Sequence, residues 1–503
     1  MELLHHLAFG FSVAITPINL LCALTGCLLG TLMGVLHGIG PVATIAMLLP
    51  TTYALPTVSA LILLAGICYG AQYGGSITAI LVKRPAESSL ALSGMDGYQM
   101  ARQGRAGPAL AAAGLGSFFA ASVGTLILAA CAPLLTELAM AFGPAEYFAL
   151  MVLGLVGAVV LASGSLIKAI AMVVLGMLLG LVGADASSGV TRFAFDIPEL
   201  NDGIGFVVIA MGVFGYGEII SNLAQSAHAR EVFGTKWQDL WPTRQDMRDM
   251  APAVLRGTAL GSILGMLPGG GALLGKFLSY ALEKKIKPKP GEIPLGEGNI
   301  RGVVAPDSAK HAGAQAAFMP LLALGIPPNA VMALVVGALT LHHIQPGPQV
   351  MTSNPELFWG LIASLWIGNL MLVVLGLPLM GVWTRLLGVP YRWLFPALVL
   401  FCAMGVYTTT HSTFDIWLVA AFGFVGYLFH KLDMEPAPLL LGFILGPMME
   451  EYLRRALQMA NGDWSVFVMR PLSAGLLLLA VSMLVLVFLP AFQTRRAAAF
   501  VNG

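Results

Sequence analysis

The chain has 503 residues, 57% of them hydrophobic and only 10% charged, with a mean hydropathy of +0.84. A soluble domain carries about 25% charged residues, so the composition excludes an ordinary water-soluble protein and predicts an integral membrane protein in a lipid bilayer. The net charge of +1 gives no electrostatic footprint for a nucleic acid, and no such partner is expected.

The first residues, Met1 to His6, lack the positively charged leading region of a cleavable signal peptide. Apolar stretches then recur at 12–36, 57–70, 108–131, 145–163, 166–183, 205–217, 251–267, 312–340, 357–380, 393–408, 415–430, 436–449 and 471–490. A full span needs about 20 residues, so these make roughly a dozen crossings, several of them only half-spans. The expected fold is an all-α integral membrane protein of two related repeats, with broken helices or re-entrant hairpins near the midplane. The first half is read as 1–227 and the second as 251–503. Between them 228–250 is the most polar stretch and reads as a solvated linker helix.

Basic loop residues set the orientation. Lys83, Arg84, Arg102 and Arg105, then Lys276, Lys284, Lys285, Lys287 and Lys289, and finally Arg495 and Arg496 predict cytoplasmic faces. The acidic loop 184–203 is expected outside. The five cysteines all lie in apolar runs without metal-ligand spacing and read as small buried hydrophobes. No metal or organic cofactor is expected.

Two glycine-rich segments align without a gap, Gly30 falling on Gly261. Gly30 to Pro41 and Gly261 to Ala272 both read G-x-x-x-G-x-L-x-G-x-G. Hydrocarbon tolerates irregular backbone only where protein or a wet cavity covers it. Duplicated breaks in corresponding halves point to a transporter's binding site. Half-helix N-termini there would suit a carboxylate, which makes Gly38, Gly40, Pro41, Pro268, Gly269, Gly270 and Gly271 candidate substrate residues. The competing reading is close helix packing through small residues.

Gly70-Ala71-Gln72 matches Gly313-Ala314-Gln315 in the same order, with a longer insert in the second half around Lys284 to Ile300. Around the first of these, Tyr73, Gly74, Gly75 and Ser76 offer a phenol, bare backbone and a hydroxyl to an anion or a small cation. The cluster Asp307-Ser308-Ala309-Lys310-His311 follows the basic insert. Lys310 and His311 there are candidate partners for a substrate carboxylate, or else an ordinary wet edge. Gly325, Pro327 and Asn329 mark a further break, read as a hairpin tip able to ligate an ion. No metalloprotease, nucleophile-elbow or P-loop motif occurs. The alternative function, a membrane-embedded enzyme, rests on Glu137, Glu146 and Glu218.

These motifs together resemble the large membrane subunit of the tripartite tricarboxylate transporters, from about Gly26 to Pro348. The specific segments are Ala46 to Tyr53, Tyr69 to Ile80, Asp96 to Gly107, Leu267 to Gly271, Ser279 to Lys285, Gly302 to Pro306 and Gln345 to Pro348. The resemblance implies an inner-membrane secondary transporter driven by a Na+ or H+ gradient. It further implies a small membrane subunit and a periplasmic binding protein that delivers a carboxylate. The chain departs from the family pattern at Leu36-His37-Gly38, where Leu-Pro-Gly is common. It departs again at Asp307 to Ala312, where Lys310 and His311 replace two neutral amides. This cationic pair could replace a bound cation, change the substrate, or favour H+ over Na+.

Overall fold

The structure is a computed structural model and describes residues 2–37, 40–82, 88–162, 165–185, 188–224, 233, 239–267, 271–287, 291–387 and 391–488. The chain begins with α1 (Glu2–Ala14), α2 (Pro17–His37), α3 (Pro41–Leu48), α4 (Thr57–Val82), α5 (Ser88–Arg102), α6 (Ala106–Met140), α7 (Pro144–Leu161) and α8 (Leu166–Gly180). A small antiparallel pair follows, β1 (Gly183–Ala184) and β2 (Thr191–Arg192), with Gly183 opposite Arg192. Next come α9 (Phe206–Ala210) and α10 (Gly217–Ala224), joined through a π-helical stretch Met211–Tyr216. The remainder is α11 (Arg244–Gly265), α12 (Gly271–Lys285), α13 (Ile300–Ala316), α14 (Phe318–Leu324), α15 (Ala330–Leu341), α16 (Gln349–Ser353), α17 (Pro355–Gly376), α18 (Met380–Leu386), α19 (Tyr391–Thr410), α20 (Thr413–Lys431), α21 (Ala437–Met459), α22 (Val466–Met469) and α23 (Pro471–Phe488).

Among the described residues, 6 helices are long and apolar enough to cross a membrane: Pro17–Leu36, Thr57–Val82, Ala106–Glu137, Phe206–Leu223, Pro355–Gly376 and Thr413–Lys431. Shorter apolar helices accompany them, including Pro144–Val160, Ala330–Leu341 and Pro471–Val487. The outermost helices expose large apolar side chains such as Ile167, Leu400, Trp417 and Leu478, as a lipid-facing surface requires. The protein is therefore an all-α, multi-pass membrane protein.

Apolar burial does not drive helices together in lipid, so close packing must do it. Two helix pairs show how. Helix α2 crosses α4 through Gly26, Gly30 and Gly34 on one side and Gly66, Gly70 and Gly74 on the other. A Cβ on Gly30 would stand 2.2 Å from the Ile67 carbonyl oxygen. Helix α11 crosses α13 through Gly257, Gly261 and Gly265 facing Ala305, Ala309 and Gly313, and a Cβ on Gly261 would stand 2.2 Å from the Ala309 oxygen. The G-x-x-x-G part of each motif is thus a packing surface inside a continuous helix. The interruption falls only afterwards, between α2 and α3 and between α11 and α12.

The two interruptions differ in shape. Helix α12 folds back on α11, its Gly275 sitting against Gly261, while α3 leaves α2 and packs on α4 and on the π-helical stretch. Gly70, Gly74 and Gly75, by contrast, break nothing. Helix α4 runs straight through them.

At the centre stands α13, with every one of its 17 residues buried. It is wrapped by α11, α6, α12 and α5. A second group, α7, α8, α21 and α23, packs together to one side.

Candidate functional site

Helix α13 carries the site, and its first turn explains its placement. Asn299 is the N-cap, its side chain accepting from the Arg301 N–H at 2.8 Å. The buried Asp96 of α5 takes the N–H groups of Gly296, Gly298 and Asn299 on one oxygen, at 2.8, 3.0 and 2.8 Å. Its other oxygen accepts from the Tyr280 hydroxyl at 3.1 Å. Beside it Glu283 binds Arg256 at 2.6 Å and Arg301 at 2.7 Å, and Arg301 reaches Glu292 at 2.9 Å. Buried charges survive only when paired or hydrogen-bonded: Asp96 is held by four hydrogen bonds, Glu283 and Arg301 by ion pairs. The sequence segments around Asp96, Glu283 and Gly302 therefore anchor the start of α13.

Two turns further along, Asp307 lies wholly inside the protein. One carboxylate oxygen accepts from Ser76 Oγ of α4 at 2.7 Å, and the other accepts from Ser117 Oγ of α6 at 2.6 Å. Lys310 Nζ lies 3.2 Å from Asp307 Oδ1 and donates to Ser76 Oγ at 2.8 Å and to the Gln72 carbonyl at 3.0 Å. Its three ammonium protons thus meet three oxygens. His311 Nδ1 lies 2.9 Å from the Asp307 backbone oxygen and 3.7 Å from its carboxylate. Farther along α13, Gln315 accepts from the Tyr69 hydroxyl at 2.8 Å.

His311 also faces a small cavity of about 10 Å³, lined by Tyr73 of α4, Ser117 and Phe118 of α6, and Asn369 and Leu372 of α17. That is room for about one water. Gly114 and Gly376 leave space for the Tyr73 ring, where a Cβ on Gly376 would sit 2.5 Å from the phenol oxygen. Three buried polar atoms here have no hydrogen-bond partner among the described residues: Tyr73 Oη, His311 Nε2 and Asn369 Nδ2. The cavity joins side chains from both sequence halves.

The residues singled out from the sequence fall in several places. Tyr73, Ser76, Lys310 and His311 come together at this site, and the wet-edge reading of Lys310 and His311 is corrected: they are 6% and 3% exposed. Gly74 and Gly75 face α2 and serve the crossing. Gly40 is the N-cap of α3 and Pro41 its first residue. Gly271 starts α12 against Leu264 and Gly265 of α11. Gly38, Pro268, Gly269 and Gly270 lie outside the described residues.

Gly325 ends α14 in a left-handed conformation (φ 75°), packed against Pro346, and Pro327 follows it before α15. Asn329 caps α15, its side chain accepting from the Met332 N–H at 3.0 Å. Helix α15 packs chiefly on α3, α4 and α21, so this break turns the chain without forming a closed hairpin.

Lys276, read from the sequence as part of a basic loop, is buried within α12. Ser117 and Asn369 were not foreseeable as site residues. They stand in long apolar helices with no motif, and only the packing of α6 and α17 on α4 and α13 gives them a role. Of the carboxylates behind the enzyme alternative, Glu146 caps α7 and pairs with Arg470 at 2.7 Å. Glu218 accepts from Asn222 at 3.2 Å and faces His430.

Comparison with known proteins agrees with this architecture. The sequence model of the tripartite tricarboxylate transporter TctA family matches residues 20–441. An Agrobacterium vitis protein described as an uncharacterized 52.8 kDa protein in the TAR-I ttuC′ 3′ region is 53% identical over 502 residues, covering 100% of this chain and 99% of that one. A second A. vitis protein, described as an uncharacterized protein in the TAR-II ttuC′ 3′ region, is 51% identical over 242 residues, 48% of this chain and 99% of that one. No solved structure matches. With a transmembrane helical bundle, a charged site at its centre and a family match over most of its length, the chain belongs to the tripartite tricarboxylate transporter TctA family.

Proposed function

We propose that the chain is the large membrane subunit of a secondary transporter, driven by a Na+ or H+ gradient, that imports a carboxylate across the bacterial inner membrane. It is not an enzyme. A periplasmic solute-binding protein delivers the tricarboxylate or related organic anion, and a small membrane subunit completes the assembly. The observation that carries this reading is the buried Asp307–Lys310–His311 group. Ionisable residues inside a membrane protein are costly and mark substrate or ion pathways, and these three lie where α4 and α6 of the first half meet α13 of the second. The matching crossings of α2 on α4 and α11 on α13 support two related halves meeting at that site.

The test is uptake by proteoliposomes containing both membrane subunits, supplied with the loaded binding protein and a panel of di- and tricarboxylates. Accumulation of a carboxylate that collapses with the ion gradients is the expected result. Failure to accumulate any of them with a loaded binding protein would overturn carboxylate import.

A further inference from the structure

The hydrogen bonds around His311 assign its proton. Nδ1 lies against the backbone oxygen of Asp307 at 2.9 Å, and a carbonyl only accepts, so Nδ1 carries the hydrogen. In the neutral ring Nε2 is therefore a bare acceptor. His311 lines the cavity together with Tyr73 and Asn369, whose Oη and Nδ2 also lack a partner among the described residues and can donate.

The other charged members of the group are already committed. Lys310 has its three protons directed to Gln72 O, Ser76 Oγ and Asp307 Oδ1. Asp307 accepts from Ser76, Ser117 and Lys310. Of this triad, His311 Nε2 is the buried nitrogen left with no hydrogen-bond partner among the described residues.

We propose that His311 is the proton-coupling residue of transport, binding a proton on Nε2 from the Tyr73–Ser117–Asn369 cavity and releasing it on the opposite side. This rests on the transporter reading above and decides between its two coupling ions. The step is a plain proton transfer: a hydronium reaching the cavity from the aqueous side gives its proton to the Nε2 lone pair and remains as water, and the neutral imidazole becomes imidazolium.

Protonation reverses the polarity of the cavity wall. Neutral His311 presents an acceptor, which repels a carboxylate oxygen. Imidazolium presents a donor, so Nε2–H joins the unpartnered donors of two other residues that line the cavity, Tyr73 Oη–H and Asn369 Nδ2–H. An anionic oxygen and a proton each favour the other's binding, and such linkage is reciprocal. Import of a carboxylate together with a proton follows from this arrangement.

The groups facing His311 set the balance. Burial inside the bundle opposes the imidazolium first, and Lys310 on the same helix and Lys276 of α12 oppose it too, while Asp307 on its own helix favours it. From α4 come the phenols of Tyr73 and Tyr69. Ser117 of α6 and Asn369 of α17, which line the cavity with His311, are neutral. Asp96 of α5 lies by Gly302, at the other end of α13.

The experiment compares the wild type with His311→Gln in proteoliposomes holding the complete transporter and loaded binding protein. Two readouts are taken: accumulation under a pH gradient without Na+, and carboxylate exchange at equal pH on both sides. The wild type is expected to accumulate on the pH gradient alone. The variant is expected to lose that accumulation, on the order of tenfold or more, yet still to exchange, more slowly and at a rate that no longer varies with pH. Wild-type accumulation that requires Na+ and ignores the pH gradient would overturn the proposal, and so would a variant that accumulates like the wild type. The wild-type arm decides even where the variant fails to fold. Wild-type exchange without pH-driven accumulation sinks the coupling assignment alone, whereas the absence of wild-type exchange sinks the transporter reading with it.

Discussion

Ser76 Oγ stands 2.7 Å from Asp307 Oδ1 and 2.8 Å from Lys310 Nζ, so one hydroxyl accepts from the ammonium and donates to the carboxylate. It links α4 of the first half to α13 of the second across 231 positions of sequence. Hydrogen bonds in such a chain polarise one another at low local dielectric. Ser76 therefore holds the pair in register as well as solvating it.

Ser76→Ala is expected to slow carboxylate exchange on the order of ten- to a hundredfold, matching the roughly 1.5–3 kcal/mol of a hydrogen bond to a charged group. The protein should remain folded, because Lys310 and Asp307 still face each other. Exchange rates of purified, reconstituted variant and wild type check this, and equal rates would reduce Ser76 to a packing residue.

Gly261→Val tests the crossing of α11 on α13. The new Cβ would stand 2.2 Å from the Ala309 oxygen and 2.7 Å from its Cα, and neither can move without parting the helices. Overpacking of this kind costs at least about 1–3 kcal/mol. The expected outcome is aggregated or poorly inserted protein by size-exclusion chromatography in detergent. Gly475→Ala is the control, since a Cβ there meets nothing within 4 Å, and it should behave as wild type.

Asp96→Ala strips the start of α13 of the acceptor for three backbone N–H groups. Each group left buried and unsatisfied costs about 1–3 kcal/mol. A large fall in the thermal midpoint in detergent is expected, with Asp96→Asn intermediate because its one carbonyl oxygen still accepts. Unchanged midpoints in both would show that α13 is held by packing alone.

Glu450→Gln should do little. Glu450 of α21 lies 3.0 Å from Arg192 and 2.5 Å from Arg454, and both arginines also reach Asp185. This network clamps the loop after α8 to α21, but its arginines are 26% and 34% exposed. Partly solvated ion pairs contribute about 0–1 kcal/mol. Transport at wild-type rate with a small shift in thermal midpoint is expected.

The membrane class and the Lys310–His311 cluster were legible in the sequence, because composition and charge placement are local, whereas the G-x-x-x-G glycines read chiefly as a break and their packing role only as the competing reading. The depth of α13 was not. Its mean hydropathy is unremarkable, as Asp307, Ser308, Lys310, His311 and Gln315 offset its alanines and valines. It is buried because its small residues admit α11 and α6 at close range, a property of the partners. Lys276 misled for the same reason. A lysine beside other lysines reads as a loop, yet α12 folds back and carries it inward. Ser117 and Asn369 gave no signal, since one polar residue in an apolar helix acquires meaning only from what it faces.

The charged group on α13 is the proposed route of transport. Its most direct test is carboxylate exchange by the Asp307→Asn/Lys310→Asn double variant, which removes both charges together and so avoids stranding either one. With the protein shown to be folded and assembled, a loss on the order of a hundredfold, equivalent to about 3 kcal/mol, is expected. Exchange at the wild-type rate would contradict it and move the site elsewhere in the bundle.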